Sequence, residues 1–274
     1  MSQVYDALQR SGVLLPGLEA TSEPSRDLDA NNLDRLPAFR IEAIPERHLV
    51  TLAEERSVAA ERIRMLGVRL RRIQKQHPIK TVLITSSIKD EGKSLLSANL
   101  AISLAKTKQR VLLLDGDSHQ GSLARLLGTS RSPGLTGWWR AGDSVLNYMR
   151  RVSGIPLWFL AAGEPSPYAI EMLQSAKVSE MLTQVASLFD WVIVDSPPFA
   201  PLADSAIWAG LTDANLVVVR LGKTPKKILN KVLDSLDQRK FLGVVLNDCS
   251  DPHLNYYAQY YKSIPVEGTN KTSK

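Results

Sequence analysis

Lys80–Leu95 reads KTVLITSSIKDEGKSL. Thr81–Thr85 is a short apolar, β-branched run bounded by turn residues, the pattern of a buried strand. A polar loop follows and closes in Gly92-Lys93-Ser94. Beyond it LLSANLAISLAK has helical spacing. Strand, glycine-bearing loop and helix in this order suit phosphate binding. Backbone N–H groups curl around phosphate oxygens, and the helix N-terminus adds positive potential. Lys93 can then reach β- and γ-phosphates, and the Ser94 hydroxyl can ligate Mg²⁺. Lys89, Asp90, Glu91, Gly92, Lys93, Ser94 and Leu95 are the candidate nucleotide contacts. The full pattern takes Gly or Ala five residues before its second Gly, where this chain has Ser87.

Downstream, Arg110–Leu114 (RVLLL) is a second buried strand and ends in Asp115-Gly116-Asp117. Parallel sheets bind ligands at the carboxyl ends of their strands. Of two aspartates there, one can assist Mg²⁺ and the other accept a proton. Trp191–Asp195 (WVIVD), followed by Ser196-Pro197-Pro198, has the Walker B pattern and assigns Asp195 to the metal. Asn215–Leu221 (NLVVVRL) and Phe241–Asn247 (FLGVVLN) are nearly continuous apolar runs, as strands covered on both faces require. Asn247 ends the last of them, where its amide either reads an adenine edge or caps a turn.

The expected fold is α/β: a P-loop NTPase with a mostly parallel sheet, helices on both faces and a single catalytic domain. The domain spans residues 48–250. It opens with a leading helix (48–78) whose Ile63, Leu66, Leu70 and Ile73 form one apolar stripe among arginines. Residues 120–150 read as a helix-rich insertion, 156–162 as a strand, and 171–189 and 226–239 as helices. Met1–Gly12 reads as a short amphipathic helix. Residues 13–47, with Pro16, Pro24, Pro37 and Pro45, read as a linker. Residues 251–274 form a tail. Its Tyr256, Tyr257, Tyr260 and Tyr261 are four of the chain's seven tyrosines, either packing on the domain or serving as accessible hydroxyl acceptors for phosphate.

The net charge of +6 over 274 residues favours anionic partners without selecting one. The single cysteine, Cys249, excludes an intrachain disulfide framework and fits a reducing cytosol. No apolar run has the length of a membrane span, and the N-terminus does not read as a signal peptide. A cytoplasmic protein is expected, and any membrane association would run through a partner. No recognition motif supports nucleic-acid binding.

Taken together, ITSSxxxEGKSLLSANLA, the strand ending in Asp-x-Asp, LAAGEPSP, VIVDSPP, LADSAIWAGLTDANLVVVR, GVVLN and the tyrosine-rich tail resemble the bacterial tyrosine autokinases of capsule and exopolysaccharide synthesis. The similarity covers about residues 50–262, and YDALQRSG near the N-terminus adds to it. The resemblance implies ATP and Mg²⁺ as cofactors. It implies Lys93 on the phosphates, Asp115 as the base for the incoming tyrosine, and Ser94, Asp117 and Asp195 on the metal. It makes Tyr256, Tyr257, Tyr260 and Tyr261 the phosphoacceptors of a neighbouring subunit in a ring. It also implies a transmembrane polysaccharide co-polymerase as activator, a tyrosine phosphatase, and a place at the inner membrane through that activator.

The chain departs from the family pattern at three places. Lys89-Asp90 stands for Pro-Gly, Ser118-His119 for Leu-Arg, and Gly67 for the last arginine of an interface motif that Glu61 and Arg64 otherwise fit. Wider relatives, the septum-positioning and plasmid-partition ATPases, carry a second lysine early in the loop, where this chain has Ile88. The leading expectation is a tyrosine autokinase regulating polysaccharide polymerisation and export. The alternatives are a degenerate ATP-binding regulatory subunit of an export complex and a partition-type positioning ATPase.

Overall fold

The computed structural model describes residues 30–200 and 203–249. Eight strands, β1 (Ala38–Phe39), β2 (Thr81–Ser86), β3 (Val111–Asp115), β4 (Met149–Val152), β5 (Leu157–Leu160), β6 (Trp191–Asp195), β7 (Ala214–Arg220) and β8 (Phe241–Asn247), form one sheet in the order β1-β4-β5-β3-β6-β2-β7-β8. Neighbours pair in parallel except β4 with β5.

The apolar runs are continuous because each strand feeds two cores. Leu112 and Leu114 of β3, with Val192 and Val194 of β6, face one. Val111 and Leu113, with Trp191 and Ile193, face the other. Strands lacking a solvated face show no alternation in sequence. The helices are α1 (Ala30–Leu33), α2 (Val50–Ala53), α3 (Val58–Gln74), α4 (Lys93–Lys106), α5 (Ser122–Leu127), α6 (Gly134–Ala141), α7 (Ala169–Gln174), α8 (Ala176–Leu188), α9 (Ala203–Leu211) and α10 (Lys226–Ser235). Helix α4 follows the phosphate loop and is buried from Ser97 to Ala105. Its inner neighbours are β2, β3 and β6, and α3 packs on its outside.

Residues 30–47 are a correction to the expected linker. β1 pairs with β4, the Arg151 N–H donates to the Pro37 carbonyl at 2.9 Å, and the Trp158 indole N–H donates to the Leu33 carbonyl at 3.0 Å. A two-residue strand has no period to read, so tertiary contact alone reveals it. Two expected helices are each divided. The leading helix expected over 48–78 breaks before Ser57, whose hydroxyl accepts the Ala60 N–H of α3 at 3.1 Å. Residues 171–189 break at Ser175, which is extended. The helix expected over 226–239 stops at Ser235. The insertion is two helices and a 3-10 turn leading into β4. Trp138 within it is a packing residue, buried in the core. Met1–Gly12 and the tyrosine tail lie outside the described residues.

Ile193 is fully buried at the middle of the sheet. Ile193→Ala removes buried methyl and methylene groups and leaves a cavity, so it is expected to lower unfolding free energy by about 2–5 kcal/mol in urea titrations.

Candidate active site

The carboxyl ends of β2, β3 and β6 lie side by side. β3 and β6 are paired in register so that Asp115 and Asp195 are direct neighbours. The loop leaving β2 turns into α4 and brings Lys93 to the same place. Lys93 Nζ lies 3.4 Å from Asp117 Oδ2 and 3.2 Å from Ser94 Oγ. One ammonium therefore sits among three carboxylates, all of them buried. Burial pulls the Lys93 pKa down, but Asp195, Asp117 and Asp115 more than restore it, and it lies above the ordinary lysine value. Burial and then the Asp195 charge push Asp115 well above the usual carboxylate range. Burial also raises Asp195, against the opposing pull of Lys93.

Each carboxylate is held differently. Asp115 accepts the Asp117 and Leu123 N–H groups, both at 3.2 Å. Asp117 Oδ1 accepts the His119 and Gln120 N–H groups at 3.2 and 2.9 Å, leaving Oδ2 for Lys93. Asp195 Oδ1 accepts the Ser97 hydroxyl at 3.0 Å, while Oδ2 is buried without a partner. Buried polar atoms are nearly always satisfied, so an orphaned carboxylate oxygen at this place would suit a cation. Ser94, Asp117 and Asp195 are hard oxygen donors suited to Mg²⁺. The Ser87 hydroxyl, at the first motif position, is a second buried orphan.

Two glycines are fixed by close approach. Gly92 has φ +92°, and a Cβ there would lie 2.1 Å from Asn247 Nδ2. A Cβ on Gly116 would meet the Trp208 indole at 2.8 Å, and that indole N–H donates to the Gly116 carbonyl at 3.2 Å. The Asp-Gly-Asp spacing therefore reflects packing against Trp208 as well as the direction of the two acids.

Glu91 is fully buried and braces the loop. It accepts the Ile88 N–H at 2.8 Å, the Arg220 N–H at 3.5 Å and the Thr224 hydroxyl. The Asn247 amide donates to the Glu91 carbonyl at 2.9 Å, so it holds the loop from behind. Lys89 is exposed. Leu95 lies on the α3 side of α4 and lines a groove there.

Several contributors escaped sequence reasoning. Ser97 lies four residues after Lys93 on the helix, a spacing that could have exposed it, and its hydroxyl also donates to the Lys93 carbonyl at 2.9 Å. Ser122, whose hydroxyl donates to Ser94 Oγ at 2.9 Å, carried no such signal. Nor did Arg131, which donates to the Ser118 carbonyl at 2.6 Å, or Asp204.

The CobQ/CobB/MinD/ParA nucleotide-binding domain family matches residues 82–269. The tyrosine-protein kinase CpsD of Streptococcus agalactiae is 30% identical over 189 residues, covering 67% of this chain and 82% of that protein. The chain belongs to the bacterial tyrosine-kinase family. The succinoglycan biosynthesis transport protein ExoP of Rhizobium meliloti is 30% identical over 189 residues, covering 66% of this chain and 24% of that longer protein. The kinase domain of VpsO superposes with a TM-score of 0.62 at 27% identity, covering 70% of this chain and 97% of that domain.

The fold absorbs the departures of this tyrosine-kinase family member. Asp90 has φ +61°, a left-handed conformation that suits the family's Gly and that Asp tolerates better than most residues. Its carboxylate lies 3.6 Å from Lys223 Nζ. His119 Nε2 lies 3.0 Å from Asp204 Oδ2, and Asp204 is buried. Gly67 is buried in α3 with Leu104 of α4 beside it.

Two outcomes follow from these contacts. His119→Ala strands a buried carboxylate and is expected to cost about 1–3 kcal/mol, with Asp204→Asn in the same chain recovering most of the loss in urea titrations. Asp195 has a folded pKa above its unfolded value of about 3.9. Its ionisation therefore destabilises the fold increasingly as pH rises from the unfolded pKa through the folded one. Without Mg²⁺ and nucleotide, Asp195→Asn is expected to raise Tm at pH 7.5, a gain that shrinks toward pH 4. The same variant loses the stabilisation that Mg²⁺–ATP gives the parent protein, as thermal melts would register.

Proposed function

We propose that the protein is an ATP-dependent protein-tyrosine autokinase that regulates polysaccharide polymerisation and export. The observation that carries this reading is the meeting of Lys93, Ser94, Asp115, Asp117 and the orphaned Asp195 oxygen at adjoining strand ends. Kinship with a named tyrosine-protein kinase and with a polysaccharide transport protein supports the substrate class.

In the proposed reaction a tyrosine hydroxyl oxygen attacks the γ-phosphorus of ATP. The bond from that phosphorus to the bridging oxygen breaks, and ADP leaves with the electron pair. Asp115 accepts the phenol proton, and its burial raises its affinity for that proton. Lys93 stays protonated and neutralises charge on the phosphates. Mg²⁺ bound at Ser94, Asp117 and Asp195 would supply the remaining positive charge. Glu91 and Asn247 keep the loop shaped so that its N–H groups need not reorganise. The proposed acceptors are Tyr256, Tyr257, Tyr260 and Tyr261, offered by a neighbouring subunit of a ring.

The partner picture is a transmembrane co-polymerase as activator and a tyrosine phosphatase that resets the tail, at the cytoplasmic face of the inner membrane. Among the described residues no helix is long and apolar enough to cross a membrane. The accommodated Asp90 and His119 and the full set of acids favour turnover over a degenerate regulatory subunit.

Incubation with Mg²⁺–ATP and the cytoplasmic segment of the activator is expected to place phosphate on tail tyrosines, read by mass spectrometry. Lys93→Met is expected to reduce the rate at least about 100-fold. ATP hydrolysis without phosphotyrosine would instead identify a positioning ATPase, and nucleotide binding with neither activity a regulatory subunit.

A further inference from the structure

Strands β7 and β8 are covered unequally. On one face α10 packs Val232 against them with Phe241. On the other, Val218, Leu242 and Val245 meet Leu96 of α4 and then open into a groove of about 1070 Å³, walled by Ile63 and Leu66 of α3. A parallel sheet in this layered fold needs cover on both faces. The groove's lining is mostly apolar, with Glu61, Arg62, Arg69 and Asp248 among the polar residues. Its apolar walls extend to the half-exposed Met65 at its rim, with Arg69 beside it.

We propose that the chain's own C-terminal segment, residues 250–274, docks in this groove. The argument begins with where the chain goes. It leaves β8 at Asn247 and passes through Asp248 and Cys249, and all three line the groove. Cys249, the last described residue, therefore points the chain's continuation at the groove. Leu254, Tyr257 and Tyr261 follow at three- and four-residue spacing, the repeat that presents one apolar face, and Ile264 and Val266 extend the apolar content. Tyrosine suits such a site because its ring fills apolar space while its hydroxyl stays at the polar rim, where Arg69 can lie over the ring.

The N-terminal segment fits less well. It joins the fold at Ala30, beside Leu33 and Trp158 of β5. Five strand spacings, roughly 24 Å, separate β5 from β8. A tail held against its own domain is withheld from a neighbour's active site. That regulatory consequence rests on the autokinase reading, whereas the docking itself does not.

The test uses the full chain without nucleotide, so that it does not depend on kinase activity. In a Cys249→Ser background, Met65→Cys is paired with Tyr257→Cys and, separately, with Leu8→Cys, and disulfide formation is driven with a copper oxidant. The expected result is a concentration-independent disulfide within one chain for the first pair and none for the second. Cross-linked dimers alone, a disulfide confined to the Leu8 pair, or no disulfide in either would overturn the proposal. Hydrogen exchange on the natural sequence guards against misfolded variants. Removing residues 252–274 is expected to speed exchange across 241–249 about tenfold, and unchanged exchange there would equally refute the docking.

Discussion

Lys93 among Asp115, Asp117 and Asp195 is the interaction on which the rest of the structure depends. Three carboxylates and one ammonium in a buried place are not electrically balanced, and burial raises the proton affinity of Asp115 and Asp195. No packing optimum would assemble such a group. It persists because the sheet around it is over-determined: Asp115 and Asp195 end strands buried on both faces, and their positions follow from the β3–β6 register. A divalent cation would offset part of the excess negative charge and would find oxygen ligands in the same carboxylates.

The scaffold converts that demand into geometry with few residues. Parallel strands deliver their carboxyl ends to one edge, so acids far apart in sequence meet without a dedicated loop. Glycine is retained where another side chain already occupies the space, the Asn247 amide at Gly92 and the Trp208 indole at Gly116. Arg131 and the His119–Asp204 pair hold the segment after β3 from two sides, and that segment supplies the N–H groups that orient Asp117.

The side chains that meet at the strand ends were legible in sequence, and their supports were not. Lys93, Ser94, Asp115, Asp117 and Asp195 each sit at the end of a buried strand or the start of a helix, where apolar periodicity changes abruptly. Ser122, Arg131 and Asp204 act through contacts that are long in sequence, so no local pattern announces them. The same distinction explains the fold. β2, β3, β6 and β7 were evident as apolar runs, whereas β1 is two residues that gain their conformation from β4. Local propensity also missed the breaks near Ser57 and Ser175, because helical periodicity on either side continues across them.

The Asn247–Glu91 hydrogen bond joins the phosphate loop to β8, the last strand of the sheet among the described residues. End strands have a neighbour on one side alone and open at lower free energy than central ones. The loop therefore inherits the fraying of the strand behind it. A nucleotide that binds only the shaped loop would draw free energy into this edge of the sheet, so ligand occupancy and the order of that edge would rise and fall as one thermodynamic unit.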